Sequence, residues 1–248
     1  MLFELTIDGL TVDFGGFRAV DNFTTTVEKG ELRVILGPNG AGKTTLMDLI
    51  SGRTKVTSGT VHLFDKNITN LPEHKIARSG VGRKFQIPSV FRDLTTRENL
   101  EVAANEDTSV IGSLKFSQKN KELQIIDEVV ETCSLEGFLN KPAGELAHGQ
   151  MQWLELGMLI AQRPRLILLD EPTAGMTRDE TYKTATIIKQ LKGQHTLIVV
   201  EHDMAFIKEI AEKITVMHLG KLLAHGDISD IENNVAVQEA YLGSGGIH

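Results

Sequence analysis

Gly37-Pro38-Asn39-Gly40-Ala41-Gly42-Lys43-Thr44 follows the apolar run Leu32 to Leu36 and opens a helical stretch that begins near Thr44 and runs to about Ile50. A strand, a glycine-rich turn ending in Lys-Thr, and a helix, in that order, make a phosphate-binding loop. Glycines let the backbone wrap closely around a polyphosphate, while inward N–H groups and a helix N-terminus meet its negative charge. Lys43 neutralises part of that charge, and the Thr44 hydroxyl can hold a magnesium ion. With the adjoining Thr45, residues 37 to 45 are the candidate cradle for a nucleoside triphosphate.

Outward from this loop, the question is where a magnesium-side carboxylate lies. Leu166-Ile167-Leu168-Leu169 reads as a strand buried on both faces, as parallel sheets require, and it ends in Asp170-Glu171. That end is the edge at which open α/β sheets bind ligands. Asp170 is therefore the candidate magnesium carboxylate. Glu171 is the candidate general base, because phosphoryl transfer depends on orienting the water and neutralising charge more than on covalent help. Val199-Val200-Glu201-His202-Asp203 brings His202 to the end of another such strand, where a neutral imidazole could meet both water and terminal phosphate. Gln86, after Gly82-Arg83-Lys84-Phe85, ends a further strand, and its amide could sense the metal or the water. Taken singly, the paired acids read more readily as solvated turn residues and His202 as an ordinary capping or surface histidine; the phosphate loop tips the balance for the acids.

Composition bounds the rest. The 248 residues are 41% hydrophobic and 24% charged, enough for one α/β domain of generous size or a core with a smaller helical lobe. A formal net charge of −7 leaves no global basic field to attract nucleic acid or anionic lipid. Cys133 is the single cysteine and cannot form an internal disulfide, and Met1 to Gly9 lacks the basic start and apolar run of an export signal, so a reducing cytosol is expected. The densest apolar runs, Leu166 to Leu169 and Leu197 to Val200, are of strand length, far short of the roughly eighteen residues that cross a bilayer. The eight histidines show no paired spacing on one helix and no nearby cysteines, which argues against zinc.

Periodicity gives short strands at Phe3 to Ile7 and Thr11 to Phe14, with turns at Gly15-Gly16 and Lys29-Gly30, then the strand, loop and helix already described. Strand, short helix and strand follow near Thr60 to Phe64, Pro72 to Arg78 and Gly82 to Phe85. From Thr96 to about Ala161 strand signals vanish, and Ile126, Val129, Val130 and Cys133 fall at helical spacing within Lys121 to Cys133. Polar Glu106 to Asn120 reads as a surface connection. The α/β rhythm resumes with Arg165 to Leu169, Asp179 to Lys192, Thr196 to Val200, Met204 to Ala211 and Ile214 to His218. The expected architecture is a phosphate-loop core with a mostly parallel sheet, an N-terminal antiparallel β lobe and an inserted helical lobe. Residues 1–248 form one nucleotide-binding domain, its core about 1–95 and 163–248 and its helical lobe about 96–162.

Leu146-Ala147-His148-Gly149-Gln150, followed by the helical run Met151 to Ala161, completes a set. The chain now resembles the nucleotide-binding subunit of an ATP-binding-cassette (ABC) transporter, whose motifs occur here in family order: an aromatic near Phe14, the phosphate loop, Gln86, the signature at 146 to 150, Asp170-Glu171 and His202. The resemblance implies ATP and Mg2+ as ligands. It also implies a second ATPase subunit facing this one head to tail, each ATP lying between one phosphate loop and the opposite signature residues Ala147, His148, Gly149 and Gln150. Gly149 allows close backbone approach, and the helix after His148 turns its positive end toward an anion. Phe14 would stack on adenine, with Phe17 as the substitute; either could instead be a core aromatic of the β lobe.

Two positions depart from the family pattern. Ala147 stands where a serine is common, removing a hydroxyl used on the terminal phosphate across the dimer. A charge-assisted hydrogen bond is worth about 1.5–3 kcal/mol, so closure is expected to be weaker, not abolished. Thr173-Ala174-Gly175-Met176-Thr177 lacks the aspartate common in that loop.

The Ala-Gly-Met turn and the ending Val237 to Gly243 are similar to the importer branch for branched-chain amino acids, amides and urea. Within it, the stretches Gly82 to Phe91 and His148 to Glu155 are most similar to the urea-importer ATPase. That likeness implies integral membrane permease subunits, a periplasmic or surface solute-binding protein behind them, a heterodimer or homodimer of ATPases, and a peripheral place on the cytoplasmic face of the inner membrane. Ile87, Pro88, Val90 and Phe91 would form an apolar patch for the permease, or else pack the lobe against the sheet. The rival reading is a soluble cassette ATPase of iron–sulfur assembly; the acidic balance and the lack of a long coiled-coil insertion speak against a nucleic-acid repair form.

Overall fold

The computed structural model describes residues 3–84, 90–105 and 116–242. In chain order the elements are β1 (Phe3–Phe14), β2 (Phe17–Glu28), β3 (Leu32–Leu36), α1 (Lys43–Ser51), β4 (Ser58–Leu63), β5 (Lys66–Asn67), α2 (Glu73–Arg78) and β6 (Val81–Lys84). Then come α3 (Thr96–Ala104), α4 (Phe116–Thr132), α5 (His148–Ala161), β7 (Leu166–Asp170), α6 (Arg178–Leu191), β8 (Thr196–Val200) and α7 (Met204–Ile210). The chain continues through β9 (Lys213–His218), β10 (Lys221–Gly226), α8 (Ile228–Glu232) and α9 (Val235–Leu242). Contacts divide it into two units, residues 1–83, 165–172 and 191–248 in the first and residues 84–164 and 173–190 in the second.

In the first unit a six-stranded sheet runs in the order β10-β9-β3-β8-β7-β6. Every residue of β3, β7 and β8 is buried, which is why their sequences show unbroken apolar runs where a half-exposed strand would alternate. β3 is parallel to both β8 and β9, with Val34 opposite Val199 and Ile214. β7 is parallel to β8, with Asp170 opposite Val200. The register therefore brings Leu36, Asp170 and Val200 to one carboxyl edge, from which the phosphate loop, Glu171 and His202 emerge.

The second sheet of this unit is antiparallel, ordered β2-β1-β4-β5. β1 is one strand of 12 residues, where the sequence predicts two. Its pairing with β2 shifts register between Ile7 and Leu10, and Gly9 at φ 56° absorbs the irregularity without ending the strand. β2 itself escapes sequence patterning, because the same shifts break its alternation and place Ala19 and Val20, then Phe23, then Val27 inward. Leu5, Ile7, Val12, Phe23 and Val61 join Leu46, Met47 and Ile50 of α1 in one hydrophobic cluster. The helix that carries the phosphate loop is thus set in the core it shares with the β lobe.

The second unit holds α3 to α6. Thr95 and Glu98 form a reciprocal capping box at the start of α3. Buried Asn99 ties down the preceding turn, accepting from the Phe91 N–H at 2.8 Å and donating to the Phe91, Leu94 and Thr95 carbonyls. α4 starts at Phe116, so the last residues of the expected surface connection Glu106 to Asn120 are helical; residues 106–115 lie outside those described. α5 is apolar nearly all round, with Trp153, Leu154, Leu156, Leu159 and Ile160 buried, and Gly157 leaves room for Val129. Cys133 is wholly buried in this unit, its thiol pushed up to about 12 by desolvation, which makes it a packing residue and not a nucleophile.

Candidate functional site

The phosphate loop is shaped by contacts that only small residues permit. Gly42 precedes α1 at φ 98°, and a Cβ there would lie 2.2 Å from the Ala19 carbonyl oxygen. The first turn of α1 has no side-chain cap and no acidic residue, so its N–H groups and positive end are left for an anion. Lys43 folds back over the loop, its ammonium donating to the Gly37 carbonyl at 2.6 Å and the Pro38 carbonyl at 3.1 Å. Burial lowers its pKa below the usual lysine value, while Glu171 and Asp170 pull the other way. Those two carboxylates therefore act on the same ammonium that a terminal phosphate would meet. A pocket of about 350 Å³ is lined by Pro38 to Ala41 of the loop with His218, Leu219, Glu239 and Ala240.

Asp170 is 4% exposed at the end of β7. The Thr44 hydroxyl beside it favours its charged form, its Oδ2 lies 3.8 Å from Arg83 Nη2, and its Oδ1 is buried with no partner. Arg83 is itself engaged, at 2.6 Å, by Asp48 of α1. Burial raises the Asp170 pKa; Arg83 and Thr44 oppose the rise, and Glu171 and Asp48 add to it. A buried carboxylate with one unmatched oxygen beside a threonine hydroxyl suits a magnesium ion, which takes one or two such protein ligands and completes its shell with water and phosphate oxygens. No group of three or more His, Cys, Asp or Glu capable of holding a metal alone is present among the described residues.

Glu171 adopts φ 48°, a left-handed conformation that costs a non-glycine residue of the order of 1–3 kcal/mol. Its N–H donates to the Val200 carbonyl at 2.9 Å, so the chain turns sharply off β7 while still bonded to β8. The side chain stays half-exposed, with Oε1 3.5 Å from His202 Nδ1. His202 is 67% exposed and sits between two carboxylates, because Glu201 Oε2 lies 3.9 Å from the same nitrogen and accepts from the His202 N–H at 3.0 Å. Asp203 then caps α7 through the Ala205 and Phe206 N–H groups. Lys43, Thr44, Asp170, Glu171 and His202 are thus brought to one sheet edge. Gln86, with Ile87 and Pro88, lies outside the described residues.

Phe14 and Phe17 face each other in register at the tip of the β1–β2 hairpin, 54% and 65% exposed, so neither is a core aromatic of the β lobe.

In the second unit, Ala147 is the N-cap of α5 and offers no side-chain acceptor; Gln150 Oε1 accepts from its N–H at 3.1 Å. His148 Nε2 lies 3.1 Å from the Ala174 carbonyl oxygen. Thr177 and Glu180 cap the start of α6, the carboxylate accepting from the Thr177 N–H and hydroxyl, both at 2.9 Å. Trp153 Nε1 donates to Thr184 at 3.0 Å, and Lys183 sits 3.9 Å from the centre of the Trp153 ring. Lys84 donates to Gln152 and pairs with Glu155 at 3.5 Å, all buried. Sequence reading missed Arg83, Lys84 and Glu180 as site neighbours. Only Glu180 left a local signal, the Thr-x-x-Glu capping pattern from Thr177.

An edge that gathers a phosphate loop, a buried carboxylate and a strained glutamate defines a nucleotide-hydrolysing protein of the phosphate-loop class. The ABC transporter family pattern matches residues 20–174. The high-affinity branched-chain amino acid transport ATP-binding protein BraF of Pseudomonas aeruginosa is 38% identical over 248 residues, covering 96% of this chain and 97% of that one. LivG of Escherichia coli, of the same description, is 36% identical with the same coverage. The crystal structure of the ADP conformation of an ATP-binding cassette of an ABC transporter superposes with a TM-score of 0.84 at 30% identity, covering 98% of this chain and 99% of that one. The chain belongs to the ABC transporter family, as one of its ATP-binding, ATP-hydrolysing subunits. No helix among the described residues is long and apolar enough to cross a membrane.

Proposed function

We propose that this chain hydrolyses magnesium-ATP as one half of a head-to-tail pair and so drives import of a small solute through an integral membrane permease. The observation that carries the chemistry is Asp170, whose carboxylate keeps one buried, unmatched oxygen and lies beside Thr44, one residue from Glu171. Gly37 to Thr45 hold the phosphates, Lys43 exchanging its loop carbonyls for phosphate oxygens. Thr44, Asp170 and Gln86 hold the metal, which when bound supplies charge neutralisation at the terminal phosphate. Glu171 takes the proton of the attacking water. His202, held by Glu201 through its backbone, contacts the water and the terminal phosphate. Phe14 stacks on adenine from the exposed hairpin tip. Ala147 to Gln150 of one subunit close on the ATP held by the other, and Phe91, exposed ahead of α3, belongs to the permease-docking patch.

The subunit lies at the cytoplasmic face of the membrane, with a solute-binding protein acting behind the permease. The names of the relatives favour a branched-chain amino acid as solute, whereas Gly82 to Phe91 and His148 to Glu155 favour urea. Uptake of labelled leucine and urea by a strain lacking the gene separates the two.

Glu171→Gln tests the core of the proposal. The variant is expected to bind magnesium-ATP, to lose at least about 99% of phosphate release, as loss of a general base implies, and to accumulate as a dimer on size-exclusion chromatography. Wild-type turnover in the variant would remove Glu171 from the general-base role.

A further inference from the structure

The start of α5 already holds an anion from its own chain. The Glu180 carboxylate, besides its two bonds to Thr177, lies against Gly149, whose N–H favours its ionised form. The contact is close, since a Cβ built on Gly149 would lie 2.3 Å from Glu180 Oε1. Nothing else on that turn can replace it: the N-cap is Ala147, with no side-chain oxygen, and Gln150 reaches back to the Ala147 N–H. One carboxylate therefore caps α6 through Thr177 and lies against the first turn of α5 at Gly149. The capping bonds, those from Thr177 foremost, hold its pKa below the ordinary glutamate value, so it is a full anion at neutral pH.

We propose that Glu180 is a positioning residue whose carboxylate lies at Gly149 and must move away before the terminal phosphate of the opposite subunit's ATP can bind there. This rests on the head-to-tail reading above. A carboxylate left in place would repel the phosphate at short range. Glu180 need not uncap α6 to move, because Oε2 makes its bonds to Thr177 while Oε1 is the oxygen that approaches Gly149. The missing serine hydroxyl at Ala147 and the presence of Glu180 then act in the same direction, both raising the nucleotide concentration needed for closure.

The test uses the full chain carrying Glu171→Gln, with and without Glu180→Gln, and reads the magnesium-ATP concentration for half-maximal dimerisation by sedimentation velocity. Glu180→Gln keeps an acceptor for Thr177 and removes the charge. Dimerisation is expected at about three- to tenfold lower magnesium-ATP, the range that removing one partly exposed charge from each of two helix N-termini allows. The gap should shrink between 50 mM and 500 mM salt, chosen as about the range over which such a charge becomes screened. An unchanged or higher midpoint with an unchanged Tm would overturn the proposal and leave Glu180 as a helix cap only. Absence of ATP-driven dimers in both proteins would overturn the head-to-tail reading itself, and this proposal with it. Should Glu180→Gln fold poorly, Glu180→Asp, shorter by one methylene and still charged, is expected to lower the midpoint by losing reach to Gly149; no shift there would count against the proposal equally.

Discussion

Asp170→Asn separates the cost of the metal-side carboxylate from its use. Asp170 is buried, one oxygen has no partner, and its pKa is raised because burial outweighs Arg83 and Thr44. A carboxyl group whose folded pKa lies above its unfolded value of 3.8 destabilises the folded state when ionised. The penalty is absent below the unfolded value, grows as pH rises toward the folded value, and is fully present above it. The amide carries no such penalty, and Arg83 keeps Asp48 at 2.6 Å. Nucleotide-free Asp170→Asn is therefore expected to melt at or above the wild-type temperature at pH 7, with the gap closing as pH falls toward 4.

The order reverses with ligand. Magnesium-ATP at 100 times its Kd stabilises by about 2.7 kcal/mol, a rise of about 5–11 °C for a chain of this size. Loss of one charged acceptor costs about 1.5–3 kcal/mol, bringing the ratio of ligand to Kd down to about 1–10. The remaining stabilisation is about 0.4–1.4 kcal/mol, or about 1–6 °C. Differential scanning fluorimetry with magnesium-ATP, and with ATP plus a chelator, reads both limbs. A variant that melts well below wild type without nucleotide, or that keeps the full magnesium-dependent rise, would refute the assignment of Asp170 as a strained, metal-directed carboxylate.

Gly42→Ala should cost at least about 2 kcal/mol and abolish ATP retention in equilibrium dialysis, because its φ of 98° and the Ala19 carbonyl at 2.2 Å leave no place for a methyl group. A stable variant that still binds would show that the loop can relax. Lys84→Met removes the cation 3.5 Å from buried Glu155 and is expected to cost about 3–5 kcal/mol in urea unfolding, most of it recovered by adding Glu155→Leu. Failure of the double variant to recover would mean that Lys84 serves through its bond to Gln152 instead.

What could be read directly from the sequence was whatever a single stretch of chain determines. β3, β7 and β8 declared themselves because central parallel strands are buried on both faces, so their apolar runs are unbroken. β2 and β10 did not, since each is half-exposed and its register slips against its neighbour, and a slip of one residue reverses which side chains point inward. The helical lobe was legible as an absence of strand signals, but the onset of α4 at Phe116 was hidden by polar residues that a surface helix carries as readily as a loop does.

The site divides along the same line. Lys43, Thr44, Asp170 and Glu171 follow from local motifs, because the backbone that positions each lies within a few residues of it. Arg83 beside Asp170, Lys84 against Glu155 and Glu180 against Gly149 join residues 31 to 87 positions apart, and no spacing rule links them. Each of these unread partners is charged and meets a group that a local motif had already marked or lies next to one. In an ABC ATPase the motifs fix where nucleotide chemistry happens, since phosphate and magnesium demand the same few groups. Charges brought in from elsewhere in the chain set what those groups cost when nucleotide is absent. Arg83 moderates the burial of Asp170, and the Glu180 carboxylate lies against Gly149, so charges that no local motif reveals set the electrostatics of groups that the motifs had marked.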